Sequence, residues 1–542
     1  MNNAIYNFLI PSNESVLEYK KDSHERRQLE AEIQRQISDP VDIPLIIGGK
    51  EVRTNETGQV RMPHKHSHVL ATYHKASEKE VNLAIETALQ AHKLWSDLSW
   101  TVRASILLKA AELISGKYRA LLNAATMLGQ SKNIFQAEID AVCETVDFLK
   151  FNAYFASRIY EMQPSSAYNQ LNKMEFRPLE GFVFTVSPFN FTSIASNLNM
   201  APVMMGNTTV WKPATTSLLS NYYLMKIFKE AGLPDGVINF IPGSGATIGK
   251  TVLASPDLAG IHFTGSNETF NYLWKEVSMQ LPRYKSYPRL IGETGGKNFI
   301  IVHPTATAKE VAVNAYRGAF EFQGQKCSAV SRMYVPVSLW PEIKTELLLI
   351  SSDAKMGDVS DPVNFINAVI DEGSFDNCMN YIGYAKDASD AEIITGGSGN
   401  KSVGYFVEPT IIVTSNPKFK SMQEEIFGPV LTVFIYEDSK LEETIALCNE
   451  TSPYGLTGAV FSRDRVAAAS MCEQLRYAAG NFYINDKPTG AIVGLQPFGG
   501  SRASGTNDKA GGEFNLIRWI SPRTIKETFQ PASEYRYNYM ME

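Results

Sequence analysis

Residues 77–89 alternate polar and apolar positions with helical spacing. Ser77-Glu78-Lys79-Glu80 has the form of a capping box. Val81, Ala84, Ile85, Ala88 and Leu89 then share one face, which predicts an amphipathic helix. Helical patterns also run through 100–116 and 118–160, and the polar stretch up to about residue 42 predicts helix as well. Near residue 182 the period changes. Phe182-Val183-Phe184-Thr185-Val186 is the short apolar run of a buried strand, and runs at 208–211, 237–241 and 259–263 repeat it. Helical stretches at 192–205, 217–231 and 246–254 separate these runs. Such alternation predicts βαβ units, and hence a parallel sheet with helices on both faces.

A second series follows Lys297. It has strands at 299–302, near 331–335 and at 430–436, with helices at 308–322, near 374–388 and at 441–448. The chain therefore reads as two doubly wound α/β domains. After Arg518, Ile520, Ile525 and Phe529 are spaced by polar residues, as in an extended strand. An unpaired strand edge invites aggregation, so this tail is expected to pair with a partner subunit.

Composition narrows the function classes. The 542 residues are 44% hydrophobic and 20% charged, with a formal net charge of −6. That balance gives no electrostatic case for nucleic acid or an anionic membrane. No apolar run has the length of a membrane span. The start, from Met1 to Phe8, has no basic segment. The expectation is a cytoplasmic protein, or one of the mitochondrial matrix if the chain is a processed eukaryotic form. The five cysteines, Cys143, Cys327, Cys378, Cys448 and Cys472, form no C-x-x-C pair, so neither a metal site nor a disulfide framework is indicated. A reducing compartment fits them.

Two Gly-rich turns suggest phosphate chemistry. In Gly243-Ser244-Gly245-Ala246-Thr247-Ile248-Gly249-Lys250-Thr251, a Walker loop would need glycine at position 244. The segment is not a G-x-G-x-x-G fingerprint either, but it follows a strand and opens a helix, where backbone N–H groups can meet a pyrophosphate. Phe263-Thr264-Gly265-Ser266 again joins strand to helix and offers Ser266 as an N-cap. Cys327 lies in Phe322-Gln323-Gly324-Gln325-Lys326-Cys327-Ser328, downstream of Gly292-Glu293-Thr294-Gly295-Gly296-Lys297. A thiol in one Gly-containing loop and a lone carboxylate in another suit covalent catalysis: the thiolate attacks an electrophilic carbon, and the carboxylate later takes a proton from water.

Together these segments resemble the aldehyde dehydrogenase superfamily. Ser187-Pro188-Phe189-Asn190-Phe191 is similar to its oxyanion segment, and Trp211-Lys212-Pro213-Ala214 to its ribose-binding lysine. Phe263 to Ser266 and Gly292 to Gly296 match its cofactor turn and general base, and Gly324 to Cys327 its nucleophile. Glu424-Glu425-Ile426-Phe427-Gly428-Pro429 matches its nicotinamide-ribose segment, and Pro497-Phe498-Gly499-Gly500 its C-terminal signature. A finer resemblance is to the branch that oxidises L-glutamate γ-semialdehyde. It rests on Ala137-Glu138-Ile139-Asp140, on Phe148 to Ala153 and on Ala503 to Lys509.

The resemblance implies NAD as cofactor. It also implies an NAD-binding domain of residues 1–157 and 178–295, a catalytic domain of 296–512, and a small β oligomerisation flap of 158–177 and 513–542. It implies Cys327 as nucleophile, Glu293 as base and Asn190 as oxyanion donor. Ser187, Pro188, Phe189, Lys212, Pro213, Gly243, Gly249, Thr264, Gly265, Ser266, Glu425 and Phe427 would contact the cofactor. Glu144, Phe191, Ser328, Gly490, Ala491 and Phe498 would contact the substrate. The implied partners are a second copy, forming a homodimer through the flap, and a proline-oxidising enzyme as a docking candidate. Two positions depart from the pattern. Thr215 and Thr216 stand where many members carry an acid for the adenosine ribose, and Ala491 stands where the animal members carry serine. A different semialdehyde, or a catalytically silent member serving as a binding protein, is the rival reading.

Overall fold

The computed structural model describes residues 6–541. Residues 1–5, part of the start read above as lacking a basic segment, lie outside the described residues, as does Glu542. Two seven-stranded sheets organise the chain. In the first the strands lie in the order Arg289–Glu293, Leu258–Thr264, Phe182–Val186, Thr209–Lys212, Ile238–Phe240, Leu45–Ile47 and Lys50–Val52. The first five are parallel, and the last two turn antiparallel. Phe182, Phe184, Val210, Ile261 and Phe263 are buried on this sheet, as their apolar runs require.

The second sheet runs Ala391–Thr395, Thr410–Thr414, Val430–Tyr436, Val330–Pro336, Asn298–Val302, Thr457–Phe461 and Asn481–Ile484. All its pairings are parallel except the first. The capping box forms as expected: Ser77 and Glu80 exchange hydrogen bonds at the start of helix Glu78–Asp97, whose buried residues include Val81, Ala84, Ile85 and Ala88.

Four expectations change. Residues 6–20 are not helical, and helix begins only at His24–Ser38. The polar groups of this N-terminal arm bond to the body of the protein instead: Leu17 N–H and Tyr19 O–H both donate to Glu138. The helical pattern of 118–160 is interrupted by left-handed Ser131 and by a π-helical turn, Glu138–Glu144, before the helix Thr145–Tyr160. The helix expected over 308–322 ends at Phe320, because Phe322 and Gln323 take left-handed backbone angles. The tail strand Ile520–Thr528 pairs antiparallel with Gln170–Pro178 of its own chain rather than needing a partner to supply the first neighbour.

A buried ion pair joins these pieces. Lys132 Nζ lies 2.7 Å from Asp140 Oδ2, and both side chains are buried. The ammonium also sits 4.1 Å from the ring centre of Phe191 and 4.5 Å from that of Phe322. Asp140 accepts from the backbone N–H groups of Thr192 at 3.0 Å and Ser193 at 2.9 Å, in the first turn of helix Thr192–Met204. Removing one member of such a pair leaves a charge without a partner in the interior. Asp140→Ala is therefore expected to cost about 3–5 kcal/mol, read as a large fall in the thermal unfolding midpoint. Asp140→Asn, which keeps an acceptor, should fall less.

Candidate active site

Strand register fixes one wall of the site. Val186 stands opposite both Lys212 and Phe263, and Thr264 opposite Glu293. The residues that follow these strands therefore leave the same edge of the first sheet. The chain order reverses between Phe182–Val186 and Leu258–Thr264. In a doubly wound sheet such a reversal opens a crevice at the carboxyl ends of the strands. Ser187, Pro188, Phe189 and Asn190 leave on one side of it, and Gly265 and Ser266 on the other. Ser266 caps helix Asn267–Gln280 through Thr269 N–H.

The opposite wall is the loop before Val330–Pro336. Phe322, Gln323 and Gly324 have φ of 52°, 56° and 67°. Left-handed angles at two non-glycine residues cost about 1–3 kcal/mol each and persist only where the surroundings enforce them. Gln323 supplies that enforcement. Its amide donates to Ser131 O at 3.1 Å and Ala368 O at 2.8 Å, and accepts from Asn367 N–H at 3.0 Å. Gly324 admits no side chain, since a Cβ there would lie 2.3 Å from Gly428 O. The turn delivers Cys327 to the crevice, where Asn298 Nδ2 holds its carbonyl at 2.7 Å. Asn190 Nδ2 donates to Gln325 O at 3.1 Å and so bridges the two walls.

Burial raises the Cys327 thiol well above its ordinary value, and the carboxylates of Glu293 and Glu425 push in the same direction. Backbone N–H groups of Ser328 and Cys327 oppose the shift. Burial also raises Glu293 well above the usual carboxylate range, while a backbone hydrogen bond from Gly500 and the charge of Lys509 resist it. Glu293 Oε1 is buried with no protein partner among the described residues. A thiol at rest beside a carboxyl able to hold a proton is a competent pair for nucleophile and base.

The crevice suits a dinucleotide. Burial lowers the pKa of Lys212, and no carboxylate offsets it. Glu425 accepts from Gly296 N–H at 2.8 Å, and burial lifts it to about 7. A Cβ on Gly295 would lie 2.1 Å from the Glu425 carboxylate, so only glycine leaves room for that acid. Phe427, left-handed at φ 58°, packs edge-on against Phe189 with ring centres 5.8 Å apart. The indole of Trp211 donates to Ser187 Oγ at 2.9 Å. Lys212 is a donor and Glu425 an acceptor, the two roles that sugar hydroxyls require.

A cavity of about 330 Å³ opens on Cys327 and Glu293. Glu144, Phe191, Ser328, Gly490, Ala491 and Phe498 all line it. Glu144 ends the π-helical turn and is not a solvated helix carboxylate. Ser193 Oγ donates to it at 2.8 Å, and burial, followed by the charge of Asp140, lifts it to about 8. Ser328 Oγ and Thr489 Oγ1 are 2.7 Å apart, which ties the residue after the nucleophile to the loop carrying Gly490. Gly490 has φ 93°.

The aldehyde dehydrogenase family model matches residues 51–525. The chain belongs to this family. It is 50% identical over 539 residues to the mitochondrial delta-1-pyrroline-5-carboxylate dehydrogenase of Dictyostelium discoideum, covering 99% of this chain and 97% of the relative. The human mitochondrial protein of that name is 47% identical over 530 residues, covering 98% and 94%. A crystal structure of the Mycobacterium tuberculosis delta-pyrroline-5-carboxylate dehydrogenase with NAD superposes with a TM-score of 0.96 at 46% identity, covering 99% of each chain.

Within the family scaffold, several residues escaped the sequence reading. Lys487 lines the cavity, as do Asn13 and Asp147. Lys509, noted above only as part of a motif, donates to Gly480 O at 2.8 Å and Gly499 O at 3.0 Å, beside the base. Lys487 stands three residues before Gly490, which was a usable signal; nothing local singles out Asn13.

Only the thiolate of Cys327 reacts with an alkylating agent. Because burial and the two carboxylates raise its pKa, inactivation of the NAD-free enzyme by iodoacetamide should keep accelerating past pH about 8.5, the ordinary thiol value. Glu293→Gln, which deletes one carboxylate, should move that profile to lower pH. A rate already level at neutral pH would mean that the resting sulfur is a thiolate.

Proposed function

We propose that the protein oxidises L-glutamate γ-semialdehyde, formed from Δ1-pyrroline-5-carboxylate, to L-glutamate in proline degradation, with NAD as cofactor. The observation that carries this reading is one cavity shared by the Cys327 thiol, the Glu293 carboxyl and the Thr489-Gly490-Ala491 loop. The family membership and the names of the relatives support it.

The Cys327 thiol gives its proton to solvent water, and Sγ then bonds to the aldehyde carbon. The carbonyl electron pair moves to oxygen. One N–H of the Asn190 amide is held by Gln325 O, so the second is free for that oxyanion, together with the Cys327 backbone N–H. A donor placed where charge develops contributes roughly 3–4 kcal/mol. When bound, NAD supplies the acceptor for the hydride that leaves this carbon, and a thioester on Cys327 remains. Glu293 then takes a proton from water as the water oxygen bonds to the thioester carbon. The C–S bond breaks and its electron pair returns to sulfur. Lys212 and Glu425 would hold the ribose hydroxyls of NAD, and Ser266 its pyrophosphate. Pro188, Pro213, Gly243 and Gly265 in the turns, Thr264 at its strand end and Gly249 within helix Gly245–Leu253 would border it, and Phe427 would pack near the nicotinamide.

The substrate is a zwitterion. Ser328 and the Gly490 and Ala491 amides read its carboxylate, and Phe191 and Phe498 flank its aliphatic chain. An ammonium beside Glu144 would draw that raised carboxyl back towards its charged form. The word mitochondrial in the names of the Dictyostelium and human relatives supports the matrix among the two compartments considered for this chain. Exposed Leu171 on the two-stranded sheet and Phe529 just past its end support a homodimer joined through it. Docking of a proline-oxidising enzyme belongs to the same metabolic reading.

The primary test is NADH formation by the purified protein with glutamate semialdehyde and with propionaldehyde. Glu293→Gln separates the two half-reactions. It should release one NADH per site in a burst and then turn over roughly a hundredfold more slowly, the usual size of a lost general base. Absence of the burst would assign Glu293 to thiol deprotonation.

Gly490→Val tests the carboxylate reading. A Cβ there would crowd a group held by the loop amides. KM for glutamate semialdehyde should rise at least tenfold while propionaldehyde is affected much less, and Ala491→Ser should leave the preference nearly unchanged. Equal losses for both aldehydes would make the loop structural.

A further inference from the structure

The N-terminal arm reaches the substrate cavity. Asn13, Glu14 and Val16 line it, although they lie far from every other wall residue in sequence. The arm is fixed along its length. Arg119 binds Glu14 at 3.0 Å, Lys150 binds the same acid at 3.1 Å, and Leu17 N–H donates to Glu138 at 3.0 Å. At its tip the amide of Asn13 makes two bonds. One goes to Asp147 Oδ2 at 2.7 Å, and the other to Val493 O at 2.8 Å. Glu14 N–H takes the second oxygen of Asp147 at 2.7 Å. Asp147 is buried at the start of helix Thr145–Tyr160, just before Phe148. Phe148 and Phe151 pack against Val493.

Val493 lies three residues past Gly490. The loop between them has a glycine at each end, Gly490 with φ 93° and Gly494 with φ 80°. Backbone amides read a carboxylate only if they are held in one direction, and glycine-flanked backbone loses the most entropy when it is held. One end of this loop is tethered through Thr489 to Ser328. At the other end two side chains hold it: Asn13 donates to Val493 O at 2.8 Å, and Gln496 Oε1 accepts from Ile492 N–H at 2.9 Å.

We propose that Asn13 is a positioning residue for substrate choice: its bridge from Asp147 to Val493 O holds the Gly490–Ala491 amides in the direction that receives the carboxylate of an amino-acid aldehyde. This rests on the reading of that loop as the carboxylate site.

The test compares KM and kcat for glutamate semialdehyde and propionaldehyde in the wild type, Asn13→Ala and Asn13→Ser. In Asn13→Ala, KM for glutamate semialdehyde should rise roughly tenfold, the size of one or two lost hydrogen bonds. kcat should change less than twofold, and propionaldehyde kinetics should not change. Asn13→Ser, which keeps one donor, should fall between, and it carries the test if the alanine variant does not fold. A fall in the thermal midpoint with KM unchanged, or equal losses for both aldehydes, would make Asn13 merely structural and overturn the proposal. A wild type that shows no preference for glutamate semialdehyde over propionaldehyde would instead remove the functional reading, and this inference with it. Preference retained in the wild type but untouched in both variants would sink the inference alone.

Discussion

The ammonium of Lys132 is enclosed by protein and must be satisfied by protein. It touches one carboxylate and two aromatic faces, and each belongs to a different part of the machinery. Asp140 uses its remaining capacity on the first turn of helix Thr192–Met204, which fixes where the Asn190-Phe191 segment ends. Phe191 is a wall of the cavity, and Phe322 begins the left-handed turn before Cys327. A charge in a low-dielectric interior tolerates little displacement of its partners. One buried cation therefore joins the Asn190-Phe191 segment, a wall of the cavity and the loop of Cys327.

Much of this was legible in the residues. The apolar runs near 182, 209, 238 and 259 are strands because buried parallel strands need side chains that avoid water on both faces, and each falls within two residues of its expected bounds. The capping box at Ser77 reads directly because its hydrogen bonds are local. What could not be read is what depends on distant partners. The helix expected to reach residue 322 stops at Phe320, since the left-handed turn is held by Ser131, Asn367 and Ala368 rather than by its own propensity. The arm of residues 6–20 looked helical because its polar residues would suit a helix surface. Its hydrogen bonds go instead to Glu138 and Asp147, more than a hundred positions away.

The candidate site follows the same division. Cys327, Glu293, Ser328, Gly490 and Phe498 share one cavity, residues that the family resemblance had singled out. The surroundings that set their chemistry were not visible. Cys327 is held above its ordinary pKa by burial first and by two acids from separate segments second. Glu144 was expected at the substrate, but neither the π-helical turn that carries it nor its bond from Ser193 was visible.

Gly295 and Gly296 carry a consequence of another kind. A Cβ on the first would lie 2.1 Å from Glu425, and one on the second 2.3 Å from the carbonyl of Cys327. Two adjacent hydrogen atoms thus separate the acid of the cofactor crevice from the backbone of the nucleophile. A side chain at the second must displace backbone, and one at the first must swing the Glu425 carboxylate aside. New specificities on this scaffold have to arise in the outlying loops, where a change reaches the substrate without passing through that junction.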